Sequence, residues 1–130
     1  RFTDTLVRDV MVPISNVVSV DEKTTIKELL EVVRKRGYSR IPVYQKEKGN
    51  IVGVLHTKEL LCYFGKDGSI SSLVRPPHIV LAEKKTNDLL KEFQQKKIHL
   101  GIVKEKQKIV GIVTMEDLLE EIVGEIEDDK

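Results

Sequence analysis

The chain has no tryptophan, three phenylalanines, three tyrosines and a single cysteine, Cys62. One cysteine excludes an internal disulfide and fits a reducing compartment. So few aromatics leave leucine, isoleucine and valine to build the interior. At 40% apolar over 130 residues, the chain is long enough for one compact domain, or for two small halves sharing a core. No run approaches the ~18 consecutive apolar residues of a membrane helix, and no signal peptide follows Arg1, which suggests a piece of a longer protein. Catalytic signatures are missing too. There is no P-loop and no G-x-G-x-x-G, and His56, His78 and His99 lack zinc-ligand spacing. Cys62, between Leu61 and Tyr63, reads as a buried, inert thiol. Nothing resembles a nucleophile–base–acid set, so an enzyme is not expected.

Basic residues are scarce at one end. From Glu116 to Lys130 there is one base against eight acids, whereas Arg1 to Met115 carries 21 bases against 13 acids. A net charge of +1 therefore hides a basic body and an acidic tail. Such asymmetry suits an anionic ligand, an anionic surface or a cation site, as well as an ordinary solvated surface.

What the chain does have is a repeat. "GNIVGVLHTKELL" (Gly49–Leu61) matches "QKIVGIVTMEDLL" (Gln107–Leu119), "TTIKELLEVV" matches "KTNDLLKEF", "YSRIPVY" matches "IHLGIVK", and "VMVP" matches "LVRP" more loosely. Each half reads strand, helix, strand, strand, helix. In the first half these are a β-branched run over Val17, Val18 and Val20, and a helix with Ile26, Leu29, Leu30 and Val33 at helical spacing. A Thr25–Glu28 capping box opens that helix and Gly37 closes it. Strands follow at Ile41–Tyr44 and Ile51–Leu55, then a closing helix begun by Leu60, Leu61 and Phe64. The second half repeats this with Ile79–Leu81, a helix over Asn87–Lys97, strands at Leu100–Lys104 and Ile109–Val113, and a helix from Met115. The last helix carries Met115, Leu118, Leu119, Ile122 and Ile126 as an apolar stripe. Gly53, in a run apolar on both faces, admits a close backbone or a flat ligand. The expected divisions are 1–64, a linker at 65–77, and 78–130 with its acidic tail. The class is α/β (α+β), with the two motifs packed about a pseudo-twofold axis and apolar stripes left over for a second copy.

These residues resemble tandem cystathionine-β-synthase (CBS) domains, a Bateman module. "DVMVP", "GYSRIPVY", "HLGIV" and "GIVTMEDLLEEIVGEI" are most similar to the cytosolic CBS pair of the magnesium/cobalt-efflux and hemolysin-C-like membrane proteins. The resemblance covers Leu6 to Glu127. It implies a disc-like homodimer at the cytoplasmic face of a membrane, an N-terminal transmembrane domain and a small C-terminal domain as partners, and no nucleic acid.

"T-M-E-D" at Thr114–Asp117 then has two readings. It is an ordinary helix cap, or a helix N-terminus whose threonine meets a phosphate and whose carboxylate accepts ribose hydroxyls. The resemblance favours the second and implies an adenine nucleotide, ATP or AMP, with Mg²⁺. It also implies contacts from Val12, Tyr38, Arg40, Ile41 and Pro42. Tyr38 suits either a core edge or an adenine ring, and Arg40 suits phosphates. Aligning Gly53 with Gly111 places His56 at the threonine position and Glu59 at the aspartate position, with Thr57 displaced by one, so these three form a weaker second site. Glu116, Glu120 and Glu121 form an acidic cluster that reads as a solvated face or as a lure for Mg²⁺ carried by phosphates, not as a dedicated metal cage. The expected role is regulation of a divalent-cation efflux protein by nucleotide. A ligand-free dimerisation module and a regulatory insert of a soluble enzyme are the alternatives.

Overall fold

The computed structural model describes residues 4–63 and 67–128. Phe64 of the expected closing helix, Gly65 and Lys66 of the linker, and Asp129 and Lys130 of the tail lie outside the described residues. The elements in order are α1 (Val7–Val10), β1 (Val12–Pro13), β2 (Val20–Asp21), α2 (Ile26–Arg36), β3 (Arg40–Gln45), β4 (Glu47–His56), β5 (Ile79–Leu81), α3 (Thr86–Lys96), β6 (Leu100–Glu105), β7 (Lys108–Thr114) and α4 (Met115–Asp128). Two compact units result. Val18–Pro77 forms one, and the described residues of Arg1–Val17 and His78–Lys130 form the other.

In the unit of Val18–Pro77 the sheet order is β2-β3-β4, with β2 parallel to β3 and β3 antiparallel to β4. Its core joins Ile26 and Leu29 of α2 to Ile41, Val43 and Leu55 of the sheet and to Leu60, Ile70 and Leu73. Burying each of these side chains contributes about 1.5–3 kcal/mol. The expected box is complete. Thr25 Oγ1 accepts from Glu28 N at 3.1 Å and Glu28 Oε1 accepts from Thr25 N at 2.9 Å. Gly37 ends α2 at φ +70°, a left-handed conformation in which a side chain would be strained. Pro42 sits in the middle strand without breaking it. Val54, its partner, exchanges both backbone bonds with Arg75 on the far side. The Pro42 nitrogen therefore faces away from β4, beyond the end of β2, where no ladder bond is lost.

The other unit has the order β1-β7-β6-β5, with β5 parallel to β6 and the remaining pairs antiparallel. Val7, Val80, Ala82, Leu89, Phe93, Val103, Val113 and Leu118 make its core. The plan matches the first unit. As β1 lies on β7 through Val12↔Ile112 and Pro13↔Gly111, so Arg75 bridges to Val54 on β4. The "VMVP"–"LVRP" match is thus a structural one, and each segment lies on the sheet of the other repeat. The close approach expected at Gly53 is made by backbone. A Cβ there would fall 2.5 Å from Arg75 O, and one on Gly111 would fall 2.3 Å from Val12 O.

Four expectations need correction. The strand expected over Val17–Val20 contains only its last residue, because Ile14–Asn16 form a 3₁₀ turn and Val17 N donates back to Ile14 O. The helix expected from Leu60 is a 3₁₀ stretch, Thr57–Tyr63. A repeat of three residues per turn places Thr57, Leu60 and Tyr63 in line. Thr57 bonds Ser39 O, while Leu60 and Tyr63 reach the core, leaving Leu61 81% exposed. Cys62, expected to be buried, is exposed for the same reason. In α4 the apolar stripe divides. Leu118 is buried and Met115 and Ile122 half-buried, while Leu119, Val123 and Ile126 form a second, exposed row.

Candidate nucleotide site

Strand β7 runs into α4 with no intervening loop. Thr114 is the last strand residue, opposite Leu100, and Met115 N donates to His99 O at 2.9 Å. Thr114 Oγ1 accepts from Asp117 N at 3.1 Å. The expected return bond from the aspartate is not made, and among the described residues the Asp117 carboxylate has no partner. Reach is not the reason, since Asp9, in the same relation to Leu6, accepts from its N–H at 3.1 Å. The outcome is a half-buried carboxylate in the first turn of a helix, beside N–H groups and a partial positive charge. Such a mouth can hold a phosphate, and its carboxylate can accept hydroxyls. Val12, on β1, pairs two residues before Thr114 and contributes its carbonyl against Gly111. Val12, Thr114 and Asp117 are thus gathered in one unit.

The remaining expected contacts belong to the other unit. Tyr38 precedes β3 and is 44% exposed. Arg40 opens β3 opposite His56. Ile41 is fully buried and spends its side chain on the core, and Pro42 is buried beside it. His56 and Thr57 line a pocket of about 350 Å³ with Ser39, Arg40, Lys58 and Leu61. The His56 imidazole is held below its ordinary pKa, first by burial and then by the charges of Arg75 and Arg40. Glu59 turns to Arg75, whose Nε donates to Oε1 at 2.9 Å.

Arg75, Ser39 and Lys58 escaped the sequence reading. The "LVRP"–"VMVP" match already put Arg75 at the Val12 position. Ser39 and Lys58 are found only once β3 and the 3₁₀ stretch are side by side. A further polar cluster was also unread. The Glu92 carboxylate on α3 accepts from Lys84 Nζ and bonds His78 Nε2. It is held below the usual carboxylate range, chiefly by the Lys84 hydrogen bond. Glu116 and Glu120 are exposed and Glu121 is half-buried. Among the described residues no group of three or more His, Cys, Asp or Glu is placed to hold a metal ion, and no helix is long and apolar enough to cross a membrane.

With two copies of one sheet-and-helix plan established, comparison with known proteins is decisive. The CBS domain family matches residues 7–66 and again residues 69–124. The chain belongs to the CBS domain family, as a tandem pair. The pair is 38% identical over 127 residues to the magnesium and cobalt efflux protein CorC of Vibrio cholerae, covering 95% of this chain and 44% of that one. It therefore spans less than half the length of such relatives. Among solved structures, the CBS domain of a bacterial CNNM/CorC family Mg²⁺ transporter in complex with ATP superposes with a TM-score of 0.87 at 37% identity, over 95% of this pair and 90% of that chain. A CBS-domain pair with bound AMP from Klebsiella pneumoniae gives a TM-score of 0.78 at 25% identity, over 92% and 98%.

Proposed function

We propose that this CBS pair binds an adenine nucleotide, ATP carrying Mg²⁺ on its phosphates or AMP, and thereby regulates a divalent-cation efflux protein at the cytoplasmic face of a membrane. The observation that carries the reading is the open threonine–aspartate junction, where Thr114 caps α4 and the Asp117 carboxylate is left for a ligand. Thr114 Oγ1 and the first α4 amides would take phosphate, and Asp117 would take the ribose hydroxyls. Tyr38 and Arg40 are proposed as base-stacking and phosphate-binding groups, and Val12 as a source of backbone and apolar contact. The ATP complex of the CNNM/CorC relative and the AMP complex of the Klebsiella pair support this choice, and the CorC relative supports the transport context.

The exposed row of Leu119, Val123 and Ile126 on α4 suits a second copy of the pair. A dimer joined through it would carry ligand-dependent rearrangement to the membrane domain and a small C-terminal domain of the parent chain. ATP shifts such an equilibrium only by its differential affinity for the two arrangements. Calorimetric titration of wild type, Thr114→Ala and Asp117→Ala with ATP, with and without Mg²⁺, tests the site. Wild type should bind and both variants should bind at least tenfold more weakly. Equal heats in all three would discard it.

A further inference from the structure

The strand-to-helix junctions of the two repeats differ by three substitutions that act together. The backbone packed on Gly53 and Gly111 fixes the alignment. Arg75 stands where the second repeat has Val12, His56 where it has Thr114, and Glu59 where it has Asp117. The Asp117 carboxylate has no partner among the described residues, whereas the Glu59 carboxylate is taken. Arg75 Nε and Nη2 lie 2.9 and 2.8 Å from the same oxygen, Oε1. Arg75 is well placed for this, because its backbone N and O both bond Val54, at 2.8 and 2.9 Å. The side chain therefore leaves the sheet from a fixed point.

The pocket beside this pair is walled by Ser39, Arg40, His56, Thr57, Lys58 and Leu61, and Glu59 is drawn off that wall toward Arg75. A guanidinium–carboxylate bond is charge-assisted. A ribose hydroxyl, a neutral donor, must displace it to reach Glu59. Burial and the Arg75 and Arg40 charges hold His56 below its ordinary pKa, which disfavours a phosphate-attracting charge on the same wall.

We propose that the Glu59–Arg75 ion pair is an internal latch that occupies the carboxylate of the first repeat and keeps its pocket from taking a phosphorylated nucleoside. The inference rests on the nucleotide reading only for the identity of the probe. Unlatching follows from Arg75→Val, which copies Val12 of the other repeat, or from Arg75→Met, which keeps the aliphatic stem should the valine variant fold poorly.

The test is an NMR titration with ATP on the 130-residue chain, following the His56 ring resonances for this pocket and the Thr114 methyl for the other. The apparent Kd read at His56 should be at least threefold lower in Arg75→Val, and in Arg75→Met, than in wild type. A smaller change, a weaker response, or silence at His56 in every protein overturns the latch. The Thr114 methyl judges the nucleotide site separately. Its silence, with His56 responding in the variants, would sink the proposed function and leave the latch standing. A responding Thr114 with unchanged His56 would do the reverse.

Discussion

The two repeats share a plan but divide the work differently. Helix α2 of the first is finished at both ends, by the closed Thr25–Glu28 box and by Gly37 at φ +70°. Its counterpart α3 has Lys85 at its N-cap with no side-chain bond and Lys97 at its C-cap, which holds φ +56°. In both helices the first N–H donates one backbone bond, to Gly68 O in the first repeat and to Thr5 O in the second. The strand-to-helix junctions show the opposite contrast. The first repeat saturates its acid with Arg75, and the second leaves Asp117 open. A closed helix cap and an open carboxylate thus fall in opposite repeats. The same four-residue phrase, threonine to acid, makes both bonds of the cap in one place and leaves its carboxylate open in the other.

The largest expected effect breaks the comparison at ligand binding. Asp117→Ala should weaken ATP binding at least tenfold, which is about 1.4 kcal/mol, while Thr25→Ala leaves it unchanged; paired calorimetric titrations decide. The reverse holds for stability. Thr25→Ala should lower the urea-unfolding free energy by about 1 kcal/mol through the lost cap, and Asp117→Ala should change it by less than about 0.5 kcal/mol, as for a group without protein partners. Lys97→Gly should raise stability by about 0.5–1 kcal/mol, because glycine relieves the left-handed conformation. Gly37→Lys should lower it by a similar amount, both read as shifts in denaturation midpoint.

The smallest effect is in the pH dependence. His56 and Glu92 both have folded pKa values below their unfolded ones. The unfolded chain therefore takes up protons first as pH falls, and stability declines on acidification. The His56 contribution is complete above about pH 6.5 and is lost as pH drops from there toward its lowered value. The Glu92 contribution is complete above its ordinary value of 4.5 and is lost below it. Thermal melts from pH 7.5 to 4 should show both declines, and Arg75→Val should shrink the upper one by removing one cause of the His56 depression. An unchanged upper decline would count against that electrostatic coupling.

Much of the fold was legible because it is written in short-range patterns. The Thr25–Glu28 box, Gly37, the β5 limits and the start of α4 each depend on a few neighbouring residues. The 3₁₀ stretch was misread because Leu60 and Leu61 suit a helix of either pitch. The choice fell to Thr57, Leu60 and Tyr63 reaching Ser39 and the core in a single line. The site was legible in its residue types and not in their bonding. "LVRP" and "KELL" are sixteen residues apart at Arg75 and Glu59, and no local rule joins them.

By itself the sequence determined the twofold repetition, the aliphatic core positions, the capped helix and the Thr114–Asp117 phrase, since each follows from periodicity and side-chain reach along the chain. Only the tertiary structure decided which acids are spent. Whether a carboxylate meets a guanidinium depends on which distant segment lies against a glycine: Val12 comes to rest on Gly111 and Arg75 on Gly53.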